Sequence, residues 1–346
     1  MRGFVSRLGS NVERLRFFAS AVFAALLLLN PAAARAQTPS AYPAPPVYPA
    51  PYAHEIPDAA PLQFEVGARF WYASGGRFQK TLYDTSGAQL LSRLTWTGET
   101  GKSGEGYFNV TDKGVFLKGY LGIGRFSRGN LQDEDFPPFP PPFAADPYSS
   151  TNSAAGKGDL SYGSIDLGYY PLATADAKLG GFVGYHFYQE KMNAFGCTQE
   201  ATNPDFCVPS IPNSVLVLTQ KNNWHSLRVG AAGEVTIAPG LKLSGDAAYL
   251  PYVKLAGADT HWLRLGIDFN GPTPETGHGT GMQFEGVVSY AFNEYLTVGA
   301  GGRYWRMQVP NGLAHFEDSV IGGASPQVEK FQTNRYGAFV QVGLKY

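Results

Sequence analysis

The chain carries the stretch Arg335-Tyr336-Gly337-Ala338-Phe339-Val340-Gln341-Val342-Gly343-Leu344-Lys345-Tyr346, in which apolar side chains recur at every second position. Successive side chains of a β-strand point to opposite faces, so one face would be apolar throughout, with a tyrosine at each end. The opposite face would carry polar side chains, namely Arg335, Gln341 and Lys345. An apolar face with aromatic ends, backed by a polar face, is typical of a strand in a membrane-spanning β-barrel.

The same two-faced pattern recurs in nine other segments, which are residues 62–72, 90–97, 115–126, 160–170, 177–188, 226–237, 241–253, 283–292 and 295–306. A tilted strand of about 9–11 residues crosses a bilayer, and a closed bacterial barrel has an even number of strands. The sequence therefore predicts an all-β fold, a ten-stranded antiparallel transmembrane β-barrel. The irregular stretch Gly98–Gly106, between the second and third predicted strands, is either a bulge or part of an extra hairpin that would make twelve strands.

The connections between these segments alternate between short and long. The long ones are residues 74–88, 127–159, 190–224, 254–281 and 307–334. In outer-membrane barrels the short turns face the periplasm and the long loops face outside, so both termini are expected in the periplasm. A soluble antiparallel sandwich or barrel is the alternative, but it has no need of alternating loop lengths.

The N-terminal part of the chain has a different composition. Arginines precede an apolar run over residues 17–29, and Ala34-Arg35-Ala36 supplies a small-x-small cleavage site. These features predict a signal peptide over residues 1–36. Residues 37–61 are rich in Pro, Ala and Tyr, which predicts an extended periplasmic linker. Residues 62–346 would then form the barrel of a protein exported to the outer membrane of a Gram-negative bacterium.

Charge and cysteine content exclude some function classes. A net charge of −1 gives no reason to expect a nucleic-acid partner. The two cysteines, Cys197 and Cys207, are expected to form a small loop disulfide in an exported protein. No cluster of His or Cys with metal-ligand spacing is present, so neither a metal site nor a cofactor is expected.

Two short polar motifs carry the candidate chemistry. Asp133 and Asp135 follow the third predicted strand, and Asp259 and His261 follow the seventh. Both strands run outward in this topology, so the motifs should face each other across the outer rim. An aspartate that orients a histidine, with the histidine activating a water as general base, fits this set. The facing carboxylates would help to hold that water and would raise the basicity of the histidine.

These motifs resemble those of a known family, the omptins. The similarity lies in Gly129-Asn130-x-x-Asp133-x-Asp135-Phe136 and in Asp259-x-His261-Trp262, where x is any residue. The resemblance implies an omptin-like barrel of ten strands with outer-membrane endopeptidase activity. It implies an Asp–Asp couple and an Asp–His couple as the catalytic residues. It also implies a peptide or protein substrate and contact with outer-membrane lipid, with lipopolysaccharide as a candidate.

The chain departs from the omptin pattern in two places. Where omptins carry an acidic specificity pocket, the matching positions here are read as Gln79 and Gly257. The polar partners expected on the lipopolysaccharide-binding wall are replaced by Phe187 and Gln189. The alternative function is therefore a non-catalytic omptin-like surface barrel with a structural or adhesive role. A general porin is disfavoured because the interior face is crowded with charged side chains.

Overall fold

The structure is a computed structural model that describes residues 62–136, 146–202, 206–316 and 326–346. The expected signal peptide and linker lie outside the described residues. Apart from the 3₁₀ turn Trp262–Arg264, the described regular structure consists of β-strands. Within this part of the chain, no helix is long and apolar enough to cross a membrane.

Ten antiparallel strands form a closed barrel, as predicted, in which sequence neighbours pair and the first strand pairs with the last. The strands are β1 Gln63–Tyr83, β2 Leu90–Asp112, β3 Val115–Asp135, β4 Ser149–Ala173, β5 Ala177–Gln199, β6 Ile211–Ala238, β7 Leu241–His261, β8 Thr273–Ala291, β9 Leu296–Ala314 and β10 Gln327–Lys345. Closure gives every strand two hydrogen-bonded neighbours, which is what a β-sheet needs to exist inside a bilayer.

The two ends of the barrel differ. At one end, which we call the turn end, successive strands are joined by residues 113–114, 174–176, 239–240 and 292–295. Strand β1 starts at this end and β10 finishes there. At the other end, the loop end, the connections are residues 84–89, 136–148, 200–210, 262–272 and 315–326. The predicted alternation of short and longer connections is therefore present.

The strands are much longer than the predicted segments, which corrects the predicted long loops. For example, β3 runs to Asp135 and β4 begins at Ser149, where the sequence pattern predicts one loop over residues 127–159. The reason is a change in surroundings along each strand. In β3, Leu121 and Ile123 point outward, but farther on Phe126 and Leu131 are buried inside. The pattern of apolar side chains on the outer face stops where that face meets water. The hydrogen bonds between the strands continue beyond this point.

The irregular stretch Gly98–Gly106 lies within β2 and forms no extra hairpin. The pairing of β2 with β3 shifts between Thr97 and Thr100 and again before Gly101. Gly98 has a φ of +64°, a conformation that glycine adopts without steric cost. The stretch is therefore a bulge, and the strand number stays at ten.

A belt of exposed apolar side chains surrounds the barrel between its turn end and its middle. Leu121, Ile123 and Val183 are 66%, 75% and 60% exposed, values that would be costly in water. The outward residues of the C-terminal strand, from Tyr336 to Tyr346, belong to this belt, as predicted. A continuous apolar belt of this kind is the lipid-facing surface of a membrane barrel.

The barrel interior is packed with side chains. Four tryptophans are at most 2% exposed, and they are Trp71, Trp96, Trp224 and Trp305. Nearer the turn end, Arg303 binds Glu105 at 2.7 Å and Glu285 at 2.5 Å, so the predicted inward charges are present and paired. Aromatic rings and ion pairs together fill the barrel interior below the loop end.

Candidate active site

Asp133 and Asp135 lie at the loop end of β3, beyond the apolar belt. They are strand residues, not loop residues as predicted, and they pair with Leu94 and Ser92 of β2. Glu134 between them binds Arg93 instead, with an Nε–Oε2 distance of 2.7 Å. Alternation along the strand therefore directs the two aspartates into the barrel together, as the i and i+2 spacing predicts. One oxygen of Asp133, Oδ1, is buried and has no hydrogen-bond partner among the described residues.

Asp259 and His261 are the corresponding inward pair at the loop end of β7, again in the strand rather than in a loop. The His261 Nε2 atom lies 3.0 Å from Asp259 Oδ2, which is a hydrogen bond. The imidazole stacks on the ring of Phe269, with centroids 4.9 Å apart and an angle of 14°. Asp259 is thus placed to orient the imidazole from one side, and Phe269 restricts it from another.

The two pairs lie close enough for their charges to act on each other. His261 lowers the pKa values of Asp133 and Asp135 by its charge, and Asp133 in turn raises the pKa of His261. Burial and then the charge of Asp135 raise the pKa of Asp133 to about 7. Burial also raises the pKa of Asp135, against the opposing charges of Arg264 and His261. Near neutral pH, the aspartate pair can therefore hold a proton.

The Asp–His couple has the opposite electrostatics. Burial would raise the pKa of Asp259, but the charges of His261 and Lys80 and hydrogen bonds with both hold it below its usual range. Burial would lower the pKa of His261, but Asp259 and then Asp133 raise it above its ordinary value. Asp259 therefore stays ionised while His261 titrates, as an orienting carboxylate and a base require.

Lys80 is a member of this site that the sequence reading missed. Its Nζ atom donates to Asp259 Oδ2 at 2.6 Å and to Glu275 Oε1 at 2.6 Å. Glu329 Oε1 is 4.0 Å away, and Gln220 Nε2 donates to Glu275 Oε2 at 2.6 Å. These groups are Lys80, Asp259, Glu275, Glu329 and Gln220, and we refer to them as the lysine cluster. All of them are at most 5% exposed.

The position of Lys80 corrects the expectation that Gln79 faces the site. Trp71 and Ala73 point inward in the first half of β1, and strict alternation from them would turn Gln79 inward too. The pairing of β1 with β10 shifts between Tyr72 and Gly75, and beyond this point Phe78 and Lys80 are the buried residues. An irregularity of one residue moves every later side chain to the other face.

Gly257, the other position matched to the acidic pocket, is flanked by an acid from the next strand. Glu275 pairs with Gly257 in the ladder, and a Cβ atom on Gly257 would lie 3.0 Å from Glu275 Oε2. The carboxylates in this part of the barrel thus come from β8 and β10 rather than from the predicted positions. No group of three or more His, Cys, Asp or Glu among the described residues is arranged to hold a metal ion.

Cys197 and Cys207 form a disulfide with Cα atoms 5.6 Å apart. The bond joins the loop end of β5 to the connection that leads into β6, and Cys197 also pairs with Ile211 across the two strands. The aromatic residue next to Cys207, Phe206, lies 6.0 Å from the guanidinium of Arg264. The disulfide-closed segment therefore reaches the rim on the His261 side.

Comparison with known proteins identifies the fold but no family. No family model and no curated protein matches the chain. Among solved structures, it is similar to the outer membrane protease OmpT from Escherichia coli, with a TM-score of 0.64 and 13% identity, over 82% of this chain and 97% of that chain. The translocator domain of the autotransporter NalP from Neisseria meningitidis has a TM-score of 0.36 and 14% identity, over 82% and 88%. The outer membrane protein OprG from Pseudomonas aeruginosa has a TM-score of 0.32 and 10% identity, over 82% and 95%. The fold is that of an outer-membrane β-barrel.

Proposed function

We propose that this chain is an outer-membrane endopeptidase of omptin type, with Asp133, Asp135, Asp259 and His261 as its catalytic residues. The observation that carries the proposal is the 3.0 Å hydrogen bond between His261 Nε2 and Asp259 Oδ2, within range of the charges of the aspartate pair on β3. The fold that the chain shares with the protease OmpT is consistent with this assignment. At 13% identity, that likeness concerns the fold alone, so the chemistry rests on the side chains.

The proposed reaction is attack of a water molecule on a peptide carbonyl. With Nε2–H donating to Asp259, the Nδ1 atom of His261 is the nitrogen that accepts the proton of the water. The water oxygen bonds to the carbonyl carbon, the peptide C–N bond breaks, and the proton passes to the leaving amine. Asp133, a carboxyl group with its pKa near neutrality, would hold the attacking water together with Asp135.

Substrate preference is not assigned to basic side chains. Gln79 points away from the interior and Gly257 carries no charge, while Lys80 already binds Asp259 and Glu275. A cationic side chain of a substrate would have to compete with this internal ammonium group for the same carboxylates.

The test is hydrolysis of a fluorogenic peptide library by refolded protein in detergent. His261→Ala should lower the rate by about 10²-fold or more, the range in which general bases contribute. His278→Ala is the matched control, because His278 lies on the exposed face of β8. Equal hydrolysis by His261→Ala and by the unsubstituted protein would refute the mechanism.

The alternative is a non-catalytic surface barrel with a structural or adhesive role. The observation that favours it is the ion pair between Asp259 and Lys80, because a buried pair of this kind can serve packing alone. Absence of hydrolysis across the whole library, by folded protein at every pH tested, would select this alternative.

We further propose that the loop end faces outside, the termini face the periplasm, and lipopolysaccharide is a lipid partner. The support is a row of outward side chains in register across β2 to β6, namely Lys102, Arg125, Asp159, Lys191 and Lys221, which we call the basic row. It lies just beyond the exposed Ile123, at the edge of the apolar belt. Four cations and one carboxylate suit a phosphorylated headgroup.

A further inference from the structure

Asp259 Oδ2 serves two partners at once. It lies 3.0 Å from His261 Nε2 and 2.6 Å from Lys80 Nζ, whereas Asp259 Oδ1 has no hydrogen-bond partner among the described residues. The ammonium group is therefore in direct contact with the oxygen that orients the imidazole. Lys80 is held away from solvent, since its side chain is 6% exposed and Glu275 Oε1 lies 2.6 Å from its Nζ atom.

The charges that face His261 would otherwise favour its protonation. Asp259 on its own strand and Asp133 and Asp135 on β3 are all acidic. Of the nearby cations, Arg264 in the following turn is engaged by Asp268 at 2.6 Å, which leaves Lys80 on β1 as the buried one. Glu275 on β8 and Glu329 on β10 lie 2.6 Å and 4.0 Å from Lys80 Nζ. A histidine among three carboxylates would remain an imidazolium ion and could not accept a proton.

We propose that Lys80 is a positioning residue, which keeps Asp259 ionised and aimed at His261 while keeping His261 uncharged at the pH where it must act as a base. Lys80 supplies Asp259 with a permanent positive partner, so the carboxylate is compensated both before and after His261 takes up a proton. The geometry of the couple is then independent of the protonation state of the imidazole. The lysine also places a positive charge near the imidazole, which opposes the charge of the carboxylates.

The effect of Lys80 on the rate of peptide hydrolysis rests on the proposed function, but its effect on the titration of His261 does not. The experiment is therefore a titration of the His261 imidazole by NMR, using protein labelled at histidine in detergent micelles. His261→Ala identifies the signal. Lys80→Met should raise the titration midpoint of His261 by about one pH unit or more, the usual effect of a charge at this distance. Lys80→Arg, which retains the charge, should restore a midpoint near that of the unsubstituted protein.

Two further variants complete the test. Lys254→Met, an exposed lysine on β7, should leave the midpoint unchanged. Lys80→Met/Glu275→Gln removes one charge of each sign from the lysine cluster and so avoids an uncompensated buried charge if the single variant fails to fold. The midpoint should rise in this variant too.

An unchanged or lowered midpoint in Lys80→Met and in Lys80→Met/Glu275→Gln would overturn the inference, whether or not the protein cleaves peptides. If it does, the acid limb of its pH–rate profile should move upward by the same amount in Lys80→Met. A loss of rate without movement of that limb would indicate a role in packing only and would also overturn it.

Discussion

At the scale of single residues, the candidate site gives its three carboxyl groups and its imidazole different pKa values. Asp259 is kept ionised by its charge interactions and hydrogen bonds with Lys80 and His261, whereas burial and a second carboxyl group raise the pKa of Asp133, so that it holds its proton to higher pH. Pairs of titratable groups whose surroundings push their pKa values apart are common at catalytic sites. The pattern supports the roles proposed for Asp259 and His261, and it leads to a prediction about pH.

Peptide hydrolysis should increase as the pH rises through the neutral range. His261 must be uncharged to accept a proton, and its pKa is raised above the ordinary value of about 6.5. The acid limb of the pH–rate profile should therefore have its midpoint above about 6.5, and activity should be lost below it. The measurement is kcat/KM against pH, with circular dichroism at each pH to show that the barrel is intact. A midpoint below the ordinary value would contradict the assignment of His261 as the base.

At the scale of the strands, some glycines leave room for side chains and backbone atoms of the neighbouring strands, and this close packing holds the strands in register. A Cβ atom on Gly168 of β4 would lie 2.2 Å from the ring of Phe116 and 2.5 Å from the carbonyl oxygen of Gly181. One of these neighbours is backbone, so it cannot move aside without disturbing the pairing of β4 with β5. Gly286 of β8 is the contrasting case, since nothing lies within 4 Å of its added Cβ.

Gly168→Ala should consequently destabilise the barrel, whereas Gly286→Ala should not. The expected loss is about 1–3 kcal/mol, the usual cost of overpacking. The readout is the urea concentration at which intrinsic tryptophan fluorescence reports unfolding from detergent micelles. Equal midpoints for the two variants would show that the wall at Gly168 is more yielding than the distances indicate.

At the scale of the whole molecule, the barrel is a filled cylinder with a polar site on its loop end. The aromatic cluster around Trp71 and Trp305 occupies its middle, and the ion pairs of Arg303 and Arg228 occupy the region toward the turn end. Lysine and acid pairs then line a polar cavity at the turn end, between Glu65, Lys118 and Asp246.

The purified barrel should therefore not conduct ions. In planar lipid bilayers, we expect no current steps above the baseline, because the tryptophan layer and the interior ion pairs block passage of hydrated ions. A porin reconstituted in the same bilayers serves as the positive control. Regular conductance steps that depend on the protein concentration would contradict a filled interior.

The outer wall gives a second prediction at this scale. Lys102→Gln/Arg125→Gln in the basic row should weaken binding of detergent-solubilised lipopolysaccharide by about tenfold, since a charge-assisted hydrogen bond contributes roughly 1.5 kcal/mol or more. Arg77→Gln, an exposed arginine of β1 outside the basic row, is the control and should bind like the unsubstituted protein. Calorimetric titration measures both. Retention of full affinity in the double variant would exclude the basic row as the lipid site.

The sequence by itself determined the number of strands, their inward and outward faces in the membrane, and the pairing of acidic and imidazole groups at i and i+2. These properties are local, because a β-strand with one face in lipid imposes a period of two on its own residues. The pattern of an outward apolar side chain at every second position stops at the edge of the apolar belt. Beyond the belt, the apolar side chains move to the interior, so the upper halves of the strands were read as loops.

Only the tertiary structure decided that Lys80 joins the site. The irregularity between Tyr72 and Gly75 reverses the orientation of the second half of β1, and it depends on how β1 pairs with β10. Lys80 then meets Asp259 and Glu275, which are 179 and 195 positions away in the chain. Contacts over such separations arise from closure of the barrel, which no short stretch of residues encodes. The carboxylates and the imidazole could thus be found from the sequence, whereas the lysine that compensates their charge could not.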